Sequence, residues 1–154
     1  MEEKGPSKIV AKNRKAWHDY HILQRFEAGL SLLGTEVKAV RAGHIGLRDT
    51  YAAFDNGELY LFNLSIGAYR DQGYVVHEER RRRKLLLHRK EIDRLIGKQK
   101  EQSLALVPLR VYFVHGIAKV ELGLGRGKRE YEKRQSTLKR LAEREMERAA
   151  GRRR

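Results

Sequence analysis

LRDTYAAFDNGELYLFNLSI, residues 47–66, decides the fold class of this chain. Asp55-Asn56-Gly57 separates two runs rich in aromatic and branched residues, and an Asn-Gly pair accepts the positive φ angles of a tight hairpin turn. The stretch therefore reads as two antiparallel strands, residues 47–54 and 58–66. Downstream, residues 104–114 and 117–124 repeat the pattern across His115-Gly116, with Pro108 acceptable only at an edge or bulge. Upstream, YHILQRF at residues 20–26 reads as a further strand, followed by a bend or bulge at Glu27-Ala28-Gly29.

Two short segments carry helical periodicity instead. TEVKAVRA, residues 35–42, begins with Thr35 as a candidate N-cap and stops at Gly43, burying Val37, Val40 and Ala39. In LHRKEIDRLIGKQ, residues 87–99, Leu87, Ile92, Leu95 and Ile96 share one face, and Gly97 is the expected terminator. About five to seven strands with two or three short helices predict a mainly β chain built on a small barrel.

Composition narrows the function. Among 154 residues, 34 Lys and Arg oppose 20 Asp and Glu, a net charge of +14 that favours a polyanionic partner. There is no cysteine, so disulfides, zinc-thiolate sites and thiol catalysis are excluded. The N-terminal stretch lacks the apolar core of a signal peptide, and no run of 18 apolar residues occurs; the expectation is a soluble cytoplasmic protein with no membrane contact. Residues 126–154 hold 12 cations against 5 acids, or +7, half the total in 29 residues. That tail has too few large apolar side chains to offset its ordering entropy, so disorder in the free chain is expected. Residues 136–150 nevertheless contain good helix formers that an anionic partner would fold. The chain thus divides into a barrel, residues 1–125, and a basic tail, residues 126–154. The other basic cluster, Arg80 to Lys84, is expected to point outward, because adjacent arginines repel one another.

Catalytic motifs fail one by one. Gly127-Lys128 is followed by Arg129 and preceded five residues earlier by Leu122, so no phosphate-cradling loop is present. Gly123, Gly125 and Gly127 alternate rather than follow the dinucleotide fingerprint; they read as a strand end where another chain comes close. His18 and His21, the closest histidine pair, lack a third ligand nearby, so no metal site is predicted. Glu27 and Glu36 are isolated acids on a basic protein, and no Ser-His-Asp arrangement has positional support. The chain reads as a non-enzyme. NRKAWHDY, residues 13–20, offers Arg14 and Lys15 to phosphates and Trp17, His18 and Tyr20 to exposed bases; equally, Trp17 and Tyr20 read as core residues on an entry strand.

Several ordered motifs carry a resemblance over residues 8–134. NRKAWHDYHILQRFEAGLSLLGTEVKAVRAG, then NGELYLFNLSI, RRKLLLH, PLRVYF and AKVELGLGRGKREYEKR together resemble the small protein B family, the transfer-messenger-RNA-binding proteins of bacterial trans-translation. The resemblance implies an oligonucleotide-binding barrel whose basic tail is disordered when free and helical on the ribosome. It implies an adaptor that binds the tRNA-like domain of transfer-messenger RNA, travels with elongation factor Tu and probes the empty mRNA channel of stalled ribosomes, without cofactor. It places RNA contacts at Glu27, Leu86 and Lys119. Arg14, Lys15, His18, Tyr20, Lys38, Arg41, Arg83 and Lys84 complete the expected RNA-binding set. Gly127, Lys128, Arg129, Tyr131, Lys133 and Arg134 are expected at the decoding region and in the channel. Tyr131 stands where many members have histidine, Ala39 replaces a frequent serine, and Glu78-Glu79 replace a frequent Asp-Pro.

Overall fold

A computed structural model describes residues 8–67 and 77–152. The described elements run β1 (Lys8–Lys12), α1 (Arg14–Asp19), β2 (Tyr20–Leu30), α2 (Gly34–Arg41), β3 (Ile45–Gly46), β4 (Tyr51–Asp55), β5 (Glu58–Phe62), β6 (Ser65–Ile66), β7 (Arg83–Leu86), α3 (Arg89–Gln102), β8 (Ala105–Val114), β9 (Ile117–Gly127) and α4 (Glu130–Arg152).

Both predicted hairpins form, each on two consecutive positive φ angles, but the strand expected over residues 47–54 begins only at Tyr51, after a turn at Arg48-Asp49. Asn56 and Gly57 lie at 52° and 78°, and His115 and Gly116 at 50° and 78°. Such turns match the natural twist of the flanking strands. The strands pair in the order β1-β8-β4-β5-β7-β2-β9, and an additional β8–β9 pairing closes six of them on themselves. β1 sits outside the closure on β8, and β3 pairs only with β6. Inward-facing residues of alternating strands, among them Leu59, Leu61, Leu85, Val111, Val120 and Leu122, fill the interior and are fully buried. Each such side chain contributes about 1.5–3 kcal/mol by leaving water. Ala39 and Val40 of α2 and Leu95 of α3 join the same core.

The structure departs from the sequence reading at several places. Residues 14–19 are helical rather than part of an entry strand, because Asn13 caps them: its Oδ1 accepts from the Ala16 N–H at 3.2 Å and its Nδ2 donates to the Pro108 carbonyl at 2.8 Å. β2 runs unbroken through Glu27-Ala28-Gly29, and its irregularity falls between Ile22 and Gln24. Thr35 is not the cap of α2; the helix starts at Gly34, and Glu36 instead accepts the Leu33 N–H at 2.8 Å. Gly97 does not end α3, which continues to Gln102 and stops at Ser103 in the left-handed region. Asn63, with φ of 65°, ends the strand expected over residues 58–66 at Phe62. The tail carries α4, a helix over Glu130–Arg152. Its sequence of good helix formers and its docked first turns account for that. β9 also runs two residues past the expected boundary at 125, to Gly127.

The alternating glycines behave as a close-approach device. A Cβ at Gly125 would lie 2.8 Å from the His21 carbonyl oxygen, and one at Gly123 3.1–3.2 Å from Leu109 and Ile22 side-chain atoms. β2 and β9 can therefore lie in register for most of their length.

Candidate nucleic-acid interface

Glu27, Leu86 and Lys119, far apart in the chain, meet around one glycine. Gly29 pairs with Leu86 of β7 on one side and with Lys119 of β9 on the other, and Glu27 precedes it by two residues on the same strand face. A Cβ on Gly29 would come within 3.3 Å of the Leu86 Cβ, so the glycine lets Leu86 lie across β2. Leu86 is 52% exposed, unlike its buried neighbour Leu85. The Tyr112 hydroxyl donates to Glu27 Oε2 at 2.5 Å from across the closure. Burial first, and then the bond to Glu27, hold the Tyr112 phenol protonated far above its ordinary range. Tyr112 is thus a fixed donor that orients Glu27 and leaves its second oxygen open to accept from a base amino group or a 2′-hydroxyl. Nothing in the sequence marked Tyr112, since its partner lies 85 residues away.

Cations frame this face. Arg110 pairs with Glu121 at 3.0 Å and lies 5.4 Å from the Tyr112 ring centroid, while Arg25 lies 5.9 Å from that of half-exposed Trp17. Arg41 and Lys38 are exposed on α2; Arg41 stacks on Phe113 at 5.0 Å and reaches the Gly116 carbonyl in the β8–β9 turn. Lys84 is exposed beside Glu58 at 3.7 Å.

Arg83, expected among the RNA contacts, lies inside the fold. It is wholly buried and does not face an RNA phosphate. Its Nη2 lies 2.5 Å from Glu36 Oε2, its Nη1 donates to the Leu64 carbonyl, and Arg81 grips the same carboxylate at 2.6 and 3.0 Å. Strand alternation turns Arg83 inward, and a buried acid makes that possible. Glu36, fully enclosed by this cluster, has no surface to offer a substrate. Of the basic run, Arg80 and Arg82 do face outward; Arg82 lies 4.1 Å from the Tyr60 ring centroid and bonds Asp55.

A second group of the expected residues gathers where α4 leaves the barrel. His18 Nε2 lies 2.9 Å from the Thr137 hydroxyl, His21 Nε2 2.8 Å from Glu132 Oε2, and Lys133 Nζ 3.9 Å from Asp19. The Lys128 N–H donates to the Asp19 carbonyl and its Nζ to Ser136. Tyr131, Arg129 and Arg134 are exposed on this root, as is Gly127 at the end of β9. Arg14 and Lys15 project from α1, and Tyr20 is half-buried at the start of β2. Among the described residues no group of three or more histidines or acids could hold a metal, and no helix is long and apolar enough to cross a membrane.

Comparison with known proteins places this arrangement. The family model described as SmpB protein matches residues 10–152. The SsrA-binding protein of Salinispora arenicola is 59% identical over 151 residues, spanning 98% of this chain and 94% of that protein. The SsrA-binding protein of Carboxydothermus hydrogenoformans is 54% identical over 142 residues, 92% and 95% of the two chains. A solved structure, "tmRNA-SmpB: a journey to the center of the bacterial ribosome", superimposes with a TM-score of 0.65 at 48% identity, covering 82% of this chain and 92% of that one.

Proposed function

This chain belongs to the SmpB protein family, and from that premise we propose that it is a non-enzymatic, RNA-binding adaptor of trans-translation. It binds transfer-messenger RNA through its tRNA-like domain and brings it to stalled ribosomes in the cytoplasm. The SsrA-binding relatives and the tmRNA–SmpB ribosome structure support that reading. The observation that carries it in this chain is the Glu27–Leu86–Lys119 cluster around Gly29, a carboxylate, an exposed apolar side chain and a cation on the outer face of a closed sheet. That combination suits exposed bases and phosphates, and the closed sheet acts as an oligonucleotide-binding barrel.

The division of labour follows the charge. The barrel recognises the RNA with elongation factor Tu in the delivery complex, and the basic tail reads whether the mRNA channel is empty. Residues 141–150 of α4 are exposed on every side, and an isolated helix of that length is marginal in water. Free of partners, this half frays; laid along channel RNA, it is ordered, with Lys128, Arg129, Tyr131, Lys133 and Arg134 at the decoding region. A chain ending at Gly127 tests the assignment in a reconstituted stalled-ribosome assay. The expected result is retained RNA binding with no peptide tagging; tagging at the full-length rate sinks it.

A further inference from the structure

A cavity of about 260 Å³ lies between α1, the start of β2, the β3–β4 connection and β8. Its size sits near the lower end of ligand pockets, about 300 Å³, and suits one flat ring rather than a large ligand. Ala16 and Val107, both buried, contribute an apolar floor. Tyr20 and Tyr51 contribute aromatic walls.

Tyr51 is held in place by its neighbour. On its β5 side it stacks on its cross-strand partner Phe62, with centroids 5.3 Å apart and planes at 15°. On its β8 side stands the cavity, bordered by Val107. The ring is 51% exposed, so the Phe62 stack fixes it without covering it.

Two oppositely charged side chains line the same space. Lys15 and Asp49 are both exposed, and neither side chain has a hydrogen-bond or ion-pair partner among the described residues. Asp19, also in the wall, is already engaged by His18 and Lys133. Next to aromatic walls, a carboxylate accepts a paired N–H edge, and among the RNA bases guanine presents two adjacent donors on its Watson–Crick side. A neighbouring lysine supplies a contact for the phosphate.

We propose that this cavity holds one unstacked guanosine of an RNA strand, its base against Tyr51 and Tyr20, its N–H edge on Asp49 and its phosphate on Lys15. The proposal rests on the RNA-binding reading but adds a base-selective subsite away from the Glu27–Leu86–Lys119 cluster.

The test uses the full-length, isotope-labelled chain titrated with guanosine, adenosine and uridine 5′-monophosphates while backbone amide shifts are followed. GMP should move the amides of Lys15, Thr50 and Tyr51 and bind at least about 5-fold tighter than AMP, the lower end of what one bidentate base-edge pair discriminates. Asp49→Asn should abolish that preference, and Tyr51→Ala should weaken all three nucleotides together. Equal responses to the three nucleotides, shifts mapping elsewhere, or none below about 10 mM overturn the proposal. Transfer-messenger RNA binding by the same samples separates the two claims. If it persists while GMP shows no preference, the subsite alone fails; if it is absent while GMP is preferred, the adaptor reading alone fails.

Discussion

Glu36 and Arg83, both without solvent exposure, meet at 2.5 Å and tie α2 to β7 across 47 residues of sequence. Removing one partner of such a pair leaves the other charge buried and alone, which costs about 3–5 kcal/mol. Glu36→Gln should therefore lower the urea midpoint sharply. Arg82→Ala, one residue from Arg83 but facing outward, should change stability by at most about 1 kcal/mol. Equal effects of the two substitutions would refute the buried-clamp account.

The same carboxylate makes stability depend on pH. Burial alone would raise Glu36, but the bonds from Arg81, the Leu33 N–H and Arg83 outweigh it and hold the group below the ordinary value of 4.5. A folded-state value below the unfolded one gives stabilisation that is complete above pH 4.5 and lost as pH falls through the folded value. The stability gap between the wild-type chain and Glu36→Gln, followed by thermal melting, should be flat near neutrality and shrink in acid. A gap that widens in acid contradicts the sign.

Gly125 and Gly127 should respond very differently to alanine. The added Cβ at Gly125 meets the backbone oxygen of His21, which cannot swing away as a side chain could, so Gly125→Ala should cost about 1–3 kcal/mol. At Gly127 nothing lies within 4 Å, and the substitution should be close to neutral. Chemical denaturation of both variants decides this.

Order along α4 should fall with distance from α1. Residues near Glu132, Lys133 and Thr137 are held by His21, Asp19 and His18, whereas residues 141–150 are exposed throughout. Hydrogen exchange should show measurable protection near Lys133 and almost none beyond Leu141. The double variant His18→Ala, His21→Ala should erase the first without changing the melting temperature of the barrel. Uniform protection to the end of the helix would mean that the tail is rigid on its own.

Local chemistry explains which features were legible in the sequence. Asn56-Gly57 and His115-Gly116 dictate their turns within two residues, and the strand alternation around them follows. A close approach at Gly125 was legible for the same reason, because a missing side chain in a strand has a local meaning, but its partner is β2 of this chain rather than another chain. Arg83 was not legible. Within a run of arginines the outward reading is sound until an acid 47 residues upstream is folded beside it, and periodicity carries no trace of that pairing. Gly97 misled for a related reason: burial of Ile92 and Leu95 carries α3 past a residue that would weaken an isolated helix. At the proposed RNA face, Glu27, Leu86 and Lys119 came from family resemblance, while the Gly29 junction that unites them and the Tyr112 donor that orients Glu27 emerged only with the fold.

The central claim is that recognition lives in the barrel and channel sensing in the tail. The most direct measurement is a salt titration of binding to transfer-messenger RNA, an ordinary tRNA and an unrelated stem-loop, with the full chain and with a chain ending at Gly127. Phosphate contacts weaken with log salt by roughly 0.7–0.9 per phosphate neutralised. The account predicts that both chains prefer transfer-messenger RNA at physiological salt, and that losing the tail flattens the slope without removing the preference. A preference that disappears as salt rises, or that departs with the tail, would contradict it.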